Sequence, residues 1–168
     1  AMLSGLTLLV LKAGAFALVA AVLGGCASSD AVEERKAKEA ATQESVDQIL
    51  AAPLGAEAYA KTERCLSTAQ YDSVEILDDR HVLFKGIGKR VWLNELRSRC
   101  VGLDPRSTPV IRLRDSQLCD LDTFQGVDST MGMWTRSSAT CSLGKFTVIT
   151  PEQAEAIRAA FKEARKQR

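Results

Sequence analysis

The spacing of five cysteines constrains this 168-residue chain more than any other feature. Cys65, Cys100, Cys119 and Cys141 are spread through the C-terminal part, and Cys26 stands alone ahead of them. Structural zinc sites favour close pairs such as C-x-x-C, whereas here the smallest gap, between Cys100 and Cys119, holds 18 residues. An even set of dispersed cysteines reads instead as a disulfide framework, provided the chain is exported to an oxidising compartment. Three pairings are open. Sequential pairing, Cys65–Cys100 with Cys119–Cys141, is favoured because it closes loops of moderate size, each worth about 3–4 kcal/mol in the chain-entropy model. Staples of that size matter in a chain with only 5% aromatic residues.

The question of export turns on the N-terminal segment. Its first 25 residues contain no Asp or Glu and a single charge, Lys12. An apolar run, Ala13–Leu23, follows the lysine and leads to Gly24-Gly25. As a helix this run would span ~16 Å, about half of a bilayer's ~30 Å hydrocarbon core. Reading back through Lys12 would lengthen it, but at a cost of up to ~3 kcal/mol for a lysine near the helix centre. A charge, a short apolar stretch and small residues describe a secretory signal over residues 1–25.

Leu23-Gly24-Gly25-Cys26 resembles a bacterial lipobox, with an aliphatic residue, two small residues and an acceptor cysteine. Gly24 departs from the Ala or Ser that lipoboxes favour. The resemblance implies cleavage before Cys26 and acylation of its thiol and new amino group. Ala27, in place of Asp, implies sorting to the outer membrane, lipid-anchored and facing the periplasm. Anchoring is physically sound, since each buried CH₂ contributes ~0.8 kcal/mol and two or more chains hold stably.

Beyond the signal the charges balance, since Lys and Arg total 22 against 21 for Asp and Glu and only Lys12 is lost. A nucleic-acid partner would call for a basic excess, so none is expected. No cofactor and no metal site are expected either. Residues 26–44, rich in Ala, Glu, Lys and Ser, favour a helix but offer no apolar stripe to bury. They read as a helical or disordered flexible tether. Residues 45–168 form the domain. Val46, Ile49 and Leu50 recur at helical spacing up to Pro53, and a second short helix is expected from Ala56 toward Arg64.

The middle of the chain switches to period two. "SVEIL" places Val74 and Ile76 on one face, "HVLFK" does so for Val82 and Phe84, and "RVWLN" for Val91 and Leu93. "NELRSRC" suits one helical turn. "VIRLR" points Ile111 and Leu113 inward and Arg112 and Arg114 outward. Residues 123–140 lack a period and read as a long loop, and "KFTVIT" supplies the last strand. Thr150-Pro151-Glu152-Gln153 spells a capping box. Behind it Ala154, Ile157 and Phe161 form a buried stripe, with Arg158, Lys162 and Arg165 toward water. The expected fold is α+β: a small antiparallel sheet of about six strands, open to curling toward a barrel, with a C-terminal helix.

A second resemblance runs from Arg64 to Ile149. Arg64-Cys65-Leu66, "ILDDRHVLF", "WLNELRSRCVGLD", Leu118-Cys119-Asp120 and Cys141 before "LGKFTVIT" are similar to a family of small exported proteobacterial proteins, a domain of unknown function. The resemblance implies a shared fold and export, and it brings no activity.

Candidates for chemistry are few. His81 is the only histidine, so any Ser-His-Asp or Cys-His mechanism must use it. Placed at a strand start beside Asp79 and Arg80, it reads as a residue of the solvent face. Asp78, Asp79 and Asp104 read as turn residues that bond their own backbone. Asp120 and Asp122 alternate, so they share one strand face and could bind a cation weakly. "KGIGKR" lacks the spacing of a phosphate loop and reads as a hairpin turn. Lys85, Lys89, Arg90, Arg97 and Arg99 cluster closely enough to meet anionic envelope material, although such an edge also discourages strand pairing. Trp92 belongs to the core. Trp134, between Met133 and a run of small polar residues, is a candidate binding tip. The leading expectation is a non-enzymatic envelope lipoprotein for binding or structural interaction, with an envelope protein or anionic envelope component as partner. The alternative is a periplasm-facing hydrolase using Asp120, Asp122 or His81.

Overall fold

The computed structural model describes residues 27–51, 62–113, 115–130 and 133–167. Cys26 and the apolar segment before it lie outside them. The chain divides into two units, Ala1–Lys36 and Ala37–Arg168. Helix α1 (Ala27–Ala51) covers the expected tether and the short docking helix together. In the second unit it buries Val46, with Ile49 and Leu50 packed beside it. Of the helix expected from Ala56 toward Arg64, residues 56–61 lie outside the described residues, and Thr62–Glu63 is a short strand, β1. Among the described residues no helix is long and apolar enough to cross a membrane.

Strands β2 (Cys65–Ser67), β3 (Tyr71–Ile76), β4 (His81–Gly86) and β5 (Val91–Glu95) follow. The last three form the expected meander, with β4 joined to β5 through a 3-10 turn at Ile87–Lys89. Gly88 and Lys89 in that turn both adopt positive φ, 72° and 71°. Register fixes how the faces of the two strands align. Leu83 lies opposite Leu93 and Phe84 opposite Trp92, so Val82 and Phe84 share a face with Trp92, not with Val91 and Leu93. Both faces are buried. Val82, Phe84, Trp92 and Phe146 join Leu66, Leu118, Phe124 and Leu143 in one core. Leu83, Val91, Leu93 and Ile149 join Val46, Ala154, Ile157 and Phe161 in another. A strand covered on both sides reads as a continuous apolar run, and "HVLF" and "VWL" are such runs.

The remaining strands are β6 (Thr108–Ile111), β7 (Gln117–Cys119), β8 (Thr123–Thr130), β9 (Met133–Arg136), β10 (Cys141–Ser142) and β11 (Phe146–Ile149). The fold is α+β as expected, with more strands than six. They make a five-stranded sheet ordered β1-β11-β5-β4-β3, a sheet ordered β10-β8-β6 with β9 also on β8, and the ribbon β2-β7. Among the described residues no sheet closes into a barrel. The expected long loop over 123–140 is instead largely the hairpin β8–β9. "NELRSRC" forms no helical turn, since Asn94 and Glu95 complete β5 and Leu96 donates its N–H to Arg80 O. Ile111 packs against the core, but Leu113 stays 48% exposed because β6 has already ended.

Helix α2 (Pro151–Lys166) starts as its sequence requires. The Thr150 side chain accepts from the Gln153 N–H, and the Gln153 side chain accepts from the Thr150 N–H. Ala154, Ile157 and Phe161 are buried. Its two arginines reach back toward β3: Arg158 is half-buried, against expectation, while Arg165 stays exposed as expected. Arg158 Nε donates to Glu75 Oε2 at 2.9 Å, and Arg165 Nη1 donates to Leu77 O at 2.9 Å.

Both disulfides form, but not in the expected sequential order. The bonds are Cys65–Cys119 and Cys100–Cys141. Antiparallel pairing of β2 with β7 sets Cys65 directly opposite Cys119. Cys100, fully buried, meets Cys141 on β10 beside Ala139 O. Strand pairing outweighs the advantage of shorter loops.

Candidate functional site

The deepest chemistry lies where α1, α2, the β3–β4 turn and the loop around Cys100–Pro105 meet. A cleft of about 350 Å³ opens there, lined among others by Glu39, Asp79, Arg99, Leu103, Phe161 and Arg165. His81 belongs to this wall. It is 3% exposed, which corrects its expected place on the solvent face. Alternation along β4 puts His81 on the same side as Leu83, the side the helices cover. Its ring lies 4.9 Å from that of Phe161.

His81 Nδ1 is 2.9 Å from Asp78 Oδ1, and that oxygen also accepts from the N–H groups of Arg80 and His81. Burial works to raise the Asp78 carboxyl. The bond from His81 and the two backbone donors outweigh burial and hold it below the usual carboxylate range. His81 Nε2 is buried and has no hydrogen-bond partner among the described residues. In the neutral tautomer with Nδ1 donating to Asp78, Nε2 is left as an acceptor. The Thr42 hydroxyl, also on the wall, donates to Lys38 O within its own helix. The Asp78–His81 pair therefore clamps a turn, and among the described residues the wall presents no nucleophile in hydrogen-bond contact with the imidazole. Over the cleft, Arg99 pairs with both Glu39 and Asp79.

The other carboxylate candidates are occupied. Asp120 and Asp122 do not alternate along a strand, because β7 ends at Cys119 and Leu121 turns the chain at φ 79°. Asp120 takes two hydrogen bonds from the Arg64 guanidinium, and Asp122 Oδ2 accepts from Cys119 N at 2.7 Å. Asp104 Oδ1 accepts from Arg106 N and Nε, the turn role its sequence implied. Among the described residues no group of three or more His, Cys, Asp or Glu is arranged to hold a metal ion.

The expected basic cluster divides in two. Lys85, Lys89 and Arg90 line a shallow groove of about 390 Å³ beside Pro151, Glu155 and Arg158 at the start of α2. Lys85 Nζ reaches Glu75 Oε2 at 2.9 Å, and Arg90 lies over the Trp92 ring at 5.7 Å. Burial tends to raise the Glu75 carboxyl, and the bonds from Lys85 and Arg158 bring it below its ordinary value. Arg97 and Arg99 follow the far end of β5, where Arg97 is exposed and Arg99 joins the cleft. Trp92 is buried, and its Nε1 donates to Glu63 Oε2.

Trp134 is 66% exposed on β9, directly opposite Ser129, and its neighbour Met133 is 68% exposed. Residues opposite one another share a face. Val127 with Arg136, and Thr108 with Val127, therefore continue the face of Trp134.

A family model described as a family of unknown function, DUF6491, matches residues 9–168. The chain belongs to DUF6491. No curated protein and no solved structure matches it. The match takes in Cys26 and the four disulfide cysteines of this DUF6491 chain together.

The cleft brings together residues whose sequence context gave little signal. Arg165 reads as a solvated end of a helix and Phe161 as core. Asn94 is not among the sequence candidates, although it is fully buried and bonds the Gly144 backbone in both directions, at 2.8 and 2.9 Å. A polar residue closing an apolar run was the available sign.

Proposed function

We propose that this DUF6491 protein is a cell-envelope lipoprotein, held by acylated Cys26 in the outer membrane and facing the periplasm. In this reading its domain is a non-enzymatic module for binding or structural interaction. The observation that carries the reading is the pair of disulfides, which belong to an oxidising compartment. They lie downstream of the lipobox-like Leu23-Gly24-Gly25-Cys26. The contact surface is the β8–β9 hairpin, where Trp134 presents a large rigid side chain beside Arg136, residue types enriched at interface hot spots. Lys85, Lys89 and Arg90 offer a separate basic surface to anionic envelope components.

The hydrolase alternative is not favoured. Asp120 and Asp122 are engaged by Arg64 and Cys119 N, and they stand outside the cleft that contains His81. Palmitate labelling and fractionation test the anchor: Cys26→Ser should lose the label and membrane retention. Crosslinking in intact envelopes tests the surface, where Trp134→Ala should lose captured partner while the fold, followed by circular dichroism, is kept. Undiminished label in Cys26→Ser would refute the anchor, and undiminished capture in Trp134→Ala would refute the surface.

A further inference from the structure

The two disulfides interleave: the chain meets Cys65, Cys100, Cys119 and Cys141 in that order, yet joins first to third and second to fourth. Neither native bond links neighbouring cysteines. The native loops are 54 and 41 residues, against 35 and 22 for sequential pairing (100 − 65 and 141 − 119). Contact probability in an unfolded chain falls roughly as the 3/2 power of loop length, which leaves the native pairing about fivefold less probable than the sequential one. By the same scaling it is about twofold less probable than the nested pairing Cys65–Cys141 with Cys100–Cys119.

Local structure deepens the trap. The segment between Cys65 and Cys100 contains the whole β3–β4–β5 meander, whose strands pair with one another. A Cys65–Cys100 bond can therefore enclose a formed meander. It also holds Cys65 away from β7, whose pairing with β2 makes the native bond. Once the second native bond closes, Cys100 and Cys141 are 0% and 5% exposed and out of reach of a thiol.

We propose that this protein matures through an exported thiol–disulfide isomerase, and that the species the enzyme resolves is the sequentially paired Cys65–Cys100/Cys119–Cys141 form. The proposal rests on the export reading above. Initial oxidation transfers four electrons and four protons from the four thiols to an exported disulfide oxidant. Isomerisation then needs no net electron transfer. The isomerase thiolate attacks Cys65 Sγ, the Cys65–Cys100 bond breaks, and Cys100 leaves as a thiolate. That thiolate attacks Cys141 Sγ, breaking Cys119–Cys141 and releasing the Cys119 thiolate. Cys119 attacks Cys65 in the mixed disulfide and expels the isomerase thiolate, completing both native bonds.

The test is refolding of the reduced full chain carrying Cys26→Ser in a glutathione redox buffer, with and without catalytic protein disulfide isomerase. Acid-trapped early species, mapped by peptide mass spectrometry, should carry mainly Cys65–Cys100 and Cys119–Cys141. The isomerase should speed appearance of the native pairs by about tenfold or more. Cys65→Ala/Cys119→Ala, which can form only Cys100–Cys141 within the chain, should gain no such acceleration. If it does not fold, Cys100→Ala/Cys141→Ala serves the same purpose. Native pairs dominating from the first time point, no effect of the isomerase, or equal acceleration of a two-cysteine variant would overturn the proposal. No cell is involved, so failure of export, read by the palmitate label, is a separate result.

Discussion

One oxygen, Asp78 Oδ1, holds the turn between β3 and β4 by accepting from Arg80 N, His81 N and His81 Nδ1. Its carboxyl is lowered in the folded chain, with burial opposing and these bonds prevailing. A depressed acid contributes stability above its unfolded pKa, near 4, and loses it as pH falls through the lower folded value. Asp78→Asn keeps an acceptor but removes the charge, so it should cost about 1–2 kcal/mol at pH 7. Urea midpoints should then converge between the two proteins as pH drops below about 4. A gap that stays constant to pH 3 would place the loss elsewhere. Asn94 carries the other residue-scale prediction. Its amide satisfies both backbone groups of Gly144, so Asn94→Ala should destabilise by about 2–4 kcal/mol, read as a lowered midpoint at unchanged m. Gly144 itself has no room for change, since an added Cβ would sit 1.9 Å from Glu95 O. These two sites differ in how far the sequence reveals them. Asp78 was legible as a turn residue because Asx turns are local. The burial of Asn94 and His81 was not, because it depends on β11 and the helices arriving from far along the chain.

Among the elements, α2 was legible almost residue by residue, since capping and a buried stripe are written within one helix. Thr150→Ala removes the acceptor for Gln153 N and should cost about 1 kcal/mol, checked by thermal or urea unfolding. A loss under a few tenths would mean that Pro151 and packing hold the helix start unaided. What the helix pattern missed is where Arg158 and Arg165 end. Their partners, Glu75 and Leu77 O, belong to β3 and the turn after it. Hairpin β8–β9 was invisible for a different reason. All four residues of β9 are exposed, as are Asp128 and Ser129 opposite it, so no buried face imposes an alternation of apolar and polar residues. Strands β4 and β5 fail the same test in the opposite sense, being buried on both faces.

At the scale of the unit from Ala37 onward, the four-cysteine frame was legible and its connectivity was not. Loop length argued for neighbours, whereas β2–β7 pairing and the core around Cys100 decide otherwise. The two bonds also differ in access. Cys65 is exposed and Cys119 half-buried in a two-stranded ribbon, while Cys100 and Cys141 are buried in the main core. An external thiolate must reach a sulfur to displace it, so dithiothreitol under native conditions should open Cys65–Cys119 first. Loss of its 54-residue loop removes about 4 kcal/mol in the chain-entropy model. That is a large share of the 5–15 kcal/mol by which a typical domain is stable. The second bond, closing 41 residues, should then open only through unfolding. Alkylation followed by mass spectrometry should accordingly show a species modified at Cys65 and Cys119 alone before any species modified at all four. Modification at Cys100 or Cys141 as early as at Cys65 would mean that the core around the second bond opens without waiting for the first.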